Sequence, residues 1–104
     1  MAQPIYKLFL GKSTEAWHQL SQEEQNNLFA KANQAFEKCG GKRVALCNAQ
    51  GFADQWAYFG LEQFPDIEAV QKYSEMLSEL KWFRYIDGIS ALGIEWQPVS
   101  TPSR

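Results

Sequence analysis

The order of apolar and polar positions divides the chain into four extended segments and two helical stretches. From Pro4 to Leu10 the residues alternate, with Tyr6, Leu8 and Leu10 on one face and Ile5, Lys7 and Phe9 on the other. This is the two-residue period of a strand, which Gly11 is expected to end. From about Ser13 to Cys39 the period lengthens, predicting helix in two pieces. The second piece opens on Ser21-Gln22-Glu23-Glu24, a capping box in which the serine accepts from the backbone of Glu24 and the glutamate reaches back. Leu28, Ala32, Ala35, Phe36 and Cys39 then recur every three or four residues as one apolar stripe, and Gly40-Gly41 stops the helix.

A second strand is predicted from Lys42 to Asn48. A connection from Ala49 to Asp54 leads to a third from Gln55 to Phe64, with Gly60 marking a bulge or bend. Phe64-Pro65-Asp66 closes that strand and caps the second helix, with Asp66 as N-cap and Glu68 suiting the positive helix end. The helix buries Ile67, Val70, Tyr73, Met76, Leu77 and Leu80. Lys81 to Tyr85 forms an aromatic-rich turn, and a last strand runs from Ile86 to Trp96. Residues 1–97 are read as a single domain and residues 98–104 as a loose tail.

The order βαββαβ defines a ferredoxin-like α+β fold, a four-stranded antiparallel sheet with two helices on one face. The face away from the helices should be polar if it met water, yet both faces of the first, third and fourth strands carry apolar side chains. Packing that second face against another copy covers it, so the expected state is a sheet-to-sheet homodimer.

Composition narrows the function. The chain has 104 residues, 45% apolar and 21% charged, which is ordinary globular usage. Ten Lys and Arg against twelve Asp and Glu give a net charge of −2, so neither nucleic acid nor an anionic membrane is an expected partner. No unbroken apolar run exceeds four residues and the first residues lack a secretory core, so a cytoplasmic protein is expected. Cys39 and Cys47 are too few and too far apart for a redox pair or, with a single histidine, a zinc site, and both are read as buried, reduced thiols. An RNA-recognition motif shares the βαββαβ order. Here, however, Asp54 and Gln55 replace the basic residue and glycine that open its aromatic strand. Seven Phe, four Trp and four Tyr instead require a generous core, an interface or a pocket.

Trp17 to Glu24, Phe64 to Ala69 and Trp82 to Tyr85, set in this element order over residues 4–96, resemble the dimeric α+β-barrel superfamily. Its members include antibiotic-biosynthesis monooxygenases, stress-responsive barrel proteins and small darcynin-like proteins. The resemblance implies two subunits packed sheet to sheet and a ligand cavity between helix and sheet, opening near the end of the first strand.

That position directs attention to His18, the only histidine and the only side chain whose ordinary pKa lies near neutrality. It is a candidate general base, ligand-orienting group or even heme ligand, against a surface role beside Glu15. In the split topology the start of strand four lies near the end of strand one. Trp17, His18, Trp82 and Tyr85 are therefore expected to rim an apolar pocket whose far wall includes Tyr58. Asn48 either orients a ligand or satisfies a turn. No metal site and no cofactor are expected. The functional expectation is a protein binding a small, largely apolar or aromatic molecule. The alternative is a cofactor-independent oxygenase-like or isomerase-like enzyme.

Overall fold

In the computed structural model, which describes residues 3–52 and 55–96, strand β1 (Ile5–Ser13) runs straight through Gly11. The glycine does not break the strand. It admits a close neighbour, because a Cβ there would stand 2.6 Å from the ring of Tyr58. Strands β2 (Lys42–Asn48), β3 (Tyr58–Phe64) and β4 (Ile86–Gly93) complete one antiparallel sheet in the order β2-β3-β1-β4. The register sets Lys7 opposite Glu62, Phe9 opposite Gly60 and Gly11 opposite Tyr58.

Two strands are shorter than predicted. Ala57 still donates to the Gly11 carbonyl (3.0 Å) and accepts from the Ala49 amide (2.8 Å), but Gln55 and Trp56 lie outside β3. The Lys12 ammonium stands 5.5 Å from the centre of the Trp56 ring. β4 stops at Gly93 because its partner there, Tyr6, is one residue from the start of β1. The bulge is also not at Gly60. The β2–β3 pairing slips between Arg43 and Ala45, leaving Val44 as the extra residue. Gly60 is small for another reason: a Cβ would meet the Phe9 ring at 2.7 Å and the Ala45 carbonyl at 2.8 Å.

The long helices form where the stripes place them. In α2 (Gln22–Lys38) the capping box is complete: Ser21 Oγ accepts from the Glu24 amide (3.1 Å), and Glu24 Oε1 accepts from the Ser21 amide (2.8 Å). The helix ends through Gly40, at φ +75°, with the Gly41 amide returning to the Phe36 carbonyl at 2.9 Å. In α3 (Ile67–Glu79) the cap is Asp66, whose Oδ1 accepts from Ala69 at 2.8 Å. Two four-residue turns, α1 (Glu15–His18) and α4 (Trp82–Tyr85), bracket the other end of the molecule.

The core joins Ala32, Ala35 and Phe36 of α2 and its C-cap Cys39 to Val70, Tyr73 and Leu77 of α3 over Phe64 of β3. Phe36, Phe64 and Tyr73 meet as a triangle of rings with centres 5.4–5.5 Å apart. Cys39, buried and unpaired, donates to Met76 Sδ at 3.7 Å, whereas Cys47, on the sheet face away from the helices, is only half-buried. Ile67, at the outer end of its stripe, is exposed. Both helices lie on the sheet face of Ile5 and Phe64. The opposite face presents Leu8, Leu10, Ala45, Cys47, Phe59, Leu61 and Ile89, with Leu8 46%, Phe59 39% and Ile89 56% exposed. The tail at 98–104 lies outside the described residues.

Candidate functional site

The core occupies one end of the space between sheet and helices. The other end is open, forming a cavity of about 580 Å³, within the range that holds small organic molecules. Its floor is the helix-facing row of the sheet: Lys7, Phe9, Gly11 and Ser13 of β1, Tyr58 and Glu62 of β3, and Gly88 and Ser90 of β4. The Val44 bulge decides what β2 adds. Arg43 precedes it and Leu46 and Asn48 follow it, so all three face the cavity although their spacing breaks strict alternation.

The mouth is built by α1 and α4. Thr14 ties them together, its amide donating to the Tyr85 carbonyl (2.9 Å) and its hydroxyl to the Arg84 carbonyl (2.8 Å). The Gln25 side-chain amide donates to the Trp17 carbonyl (2.9 Å) and holds α1 against α2. Trp17 and Trp82 meet edge to face with ring centres 6.4 Å apart, and both line the cavity. Tyr58 lies on the floor.

His18 and Tyr85 do not line the cavity. Successive helical residues point about 100° apart, so the turn that directs Trp17 inward leaves His18 exposed on α1. So placed, the only histidine does not fit the role of an axial heme ligand in this cavity. Tyr85 is half-buried and contributes its carbonyl to Thr14, while Phe83 takes a place on the rim. Asn48 lines the cavity and also serves a turn, accepting from the Gln50 amide at 2.9 Å.

The group that sequence reasoning passed over is charged. Glu62 is 4% exposed, faces Lys7 across the β1–β3 ladder and accepts from Arg43 Nη2 at 3.4 Å. Burial pushes the Glu62 carboxyl above its ordinary value, with Lys7 and Arg43 opposing the shift. Burial likewise lowers Lys7, against the pull of Glu62. The Lys7 ammonium stands 5.3 Å from the centre of the Tyr73 ring, and the Arg43 guanidinium 5.1 Å from that of Phe36. Burial raises the Tyr58 and Tyr73 phenols, Glu62 adding to the effect on Tyr73. A partial signal for Lys7 existed, since alternation groups it with Ile5 and Phe9, the row that the structure turns toward the helices. Its two companions become visible only through the strand register.

A second concavity, about 650 Å³ and more open, lies on the outside of α2 and α3. Its wall mixes ordinary surface charge of those helices, Lys31, Glu37, Lys38 and Glu79, with Gln34, Ala35, Met76 and Leu80. Among the described residues no cluster of three or more His, Cys, Asp and Glu is placed to hold a metal ion. No helix there is long and apolar enough to cross a membrane.

The geometry has counterparts among solved structures. A chlorite dismutase from Candidatus Nitrospira defluvii superposes on 89% of this chain with a TM-score of 0.69 at 20% identity. SnoaB, a cofactor-independent oxygenase from Streptomyces nogalater, aligns over 96% of this chain and all of its own length, with a TM-score of 0.53 at 12% identity. What they share with this chain is the ferredoxin-like α+β subunit, a four-stranded antiparallel sheet with helices. A protein of unknown function from Rhodopseudomonas palustris shares the subunit fold as well, at TM-score 0.59 and 16% identity over 94% of this chain and 86% of its own. At such identities the likeness is one of fold. The chain spans 40% of that chlorite dismutase. No family model matches the sequence, and no curated protein does.

Proposed function

We propose that this protein is a homodimer, packed sheet to sheet, in which each subunit binds a small, largely apolar molecule in the cavity between helices and sheet. The observation that carries this reading is the cavity itself: about 580 Å³, walled by Phe9, Trp17, Phe29, Leu77 and Trp82, with a few polar groups gathered on its floor. Trp17, Tyr58 and Trp82 are the aromatic contacts for the ligand. The apolar sheet face carrying Leu8, Phe59 and Ile89 supports the dimer, since a monomer would leave it in water.

Titration with the neutral fluorophore N-phenyl-1-naphthylamine tests the cavity. Saturable binding of one probe per subunit, with energy transfer from tryptophan that weakens in Trp82→Ala, is the expected result. Emission that rises without saturating, unchanged in Trp82→Ala, refutes it.

A second reading, a cofactor-independent oxygenase-like or isomerase-like enzyme, is supported by Lys7. An amine shifted toward its neutral form beside an apolar cavity is suited to accept a proton from a bound carbon acid. Turnover of a ligand recovered with the purified protein, abolished by Lys7→Met and retained by His18→Ala, would establish it.

A further inference from the structure

Building on the cavity reading above, we infer that the ligand is an amphipathic monoanion, an organic acid whose charged group sits on Lys7 and whose apolar body extends toward Trp17 and Trp82. The floor of the cavity holds two cations, Lys7 and Arg43, and one carboxylate, Glu62. Arg43 and Glu62 satisfy each other at 3.4 Å. Lys7 lines the same floor, yet among the described residues its ammonium makes no ion pair and no side-chain hydrogen bond. Its close neighbour is the face of Tyr73, which attracts a cation but accepts no full hydrogen bond. An ammonium taken out of water while its one nearby carboxylate is engaged by Arg43 is costly, and one facing a cavity is matched when the ligand brings a second anion.

The shape agrees with the charge. Lys7 and Ser13 both line the floor, six residues apart on one strand, which is about 20 Å at the usual strand rise. The charged groups, Lys7, Arg43 and Glu62, gather at one end beside the Tyr73 ring, and Trp17 and Trp82 stand at the other. An acid group at Lys7 directs the rest of the molecule along Phe9 toward Trp17 and Trp82. Glu62 limits the site to a single negative charge, because a dianion would meet its carboxylate across the ladder.

Two probes sharing one skeleton test this: neutral N-phenyl-1-naphthylamine and 1-anilinonaphthalene-8-sulfonate, which adds one anionic group. In Lys7→Met the affinity for the sulfonate should fall roughly tenfold or more, the usual scale for losing a charge-assisted contact, while that for the neutral probe stays within about twofold. In Glu62→Gln, which keeps the shape and removes the repelling charge, sulfonate affinity should rise and neutral affinity should hold. Loss of both probes to the same degree in folded Lys7→Met, or of neither, overturns the anion assignment and leaves the cavity reading standing. If Lys7→Met does not fold, unchanged sulfonate affinity in Glu62→Gln overturns it instead. Failure of the native protein to bind either probe overturns the cavity reading and this inference with it.

Discussion

Phe59 offers the sharpest test of the sheet-to-sheet dimer. It lies on the face away from the helices, opposite Leu10 on β1 and Cys47 on β2, with 39% of its surface exposed in the subunit. An aromatic side chain buries roughly 150–250 Å², so the remaining exposed portion is about 60–100 Å². At about 25 cal/mol per Å², covering it contributes roughly 1.5–2.5 kcal/mol. A two-fold interface contains the residue twice, which doubles the effect to about 3–5 kcal/mol, or roughly two to three and a half decades in dissociation constant. Phe59→Ala should therefore weaken the dimer by about that factor. Phe59→Asp, which sets two like charges in an apolar interface, should give monomer at micromolar concentration. Sedimentation velocity reads the state directly, and circular dichroism confirms the fold, which a partly exposed position should tolerate. A native protein that sediments as a monomer, or a Phe59→Asp variant that remains a dimer, refutes the packing argument. Leu8→Asp, on the same face and 46% exposed, should behave in the same way.

Other outcomes follow from single contacts. Ser21→Ala removes one half of the capping box and should cost about 1 kcal/mol in urea denaturation; an unchanged midpoint would show that the cap is redundant. Gly60→Ala drives a methyl group into the Phe9 ring and the Ala45 carbonyl and should cost about 1–3 kcal/mol, whereas a neutral result would mean that β2 shifts freely. Glu62 carries a pH signature. Its folded value is raised above 4.5, so the stability it contributes is fully present below 4.5 and is lost as pH rises through the folded value. Glu62→Gln stays neutral throughout, so its stability relative to the native protein should increase between about pH 4 and pH 7. A difference that is constant or that shrinks contradicts the burial argument.

Where local chemistry decides structure, the sequence was legible. Ser21, Glu24, Asp66 and Gly40 each do in the fold what their residue type predicts, because a cap or a left-handed turn needs only neighbours along the chain. The errors lie where distant segments decide. Gly11 looks like a strand end until the Tyr58 ring is placed over it, and Gly60 looks like a bulge until the extra residue is found in β2 at Val44. The site divides along the same line. Trp17 and Trp82 could be brought together from topology alone. The direction of His18, however, depends on which residue of a single helical turn faces inward, and no periodicity fixes that in four residues. Alternation groups Lys7 with Ile5 and Phe9 but does not say which side that row faces; that, and its pairing with Glu62 and Arg43, required the packing and the strand register.

The two borders of the sheet differ in how they can meet another chain. β2 borders one side with a bulge at Val44 and two cations, Lys42 and Arg43, a combination that twists and charges the strand so that a foreign backbone finds no regular ladder. β4 borders the other side as eight regularly paired residues whose one charge is Asp87. Strand-by-strand growth of the sheet in a concentrated solution is therefore expected to begin at β4. Lysine placed at Ser90 or Ala91 would block that route while leaving the hydrogen-bonded ladder to β1 in place.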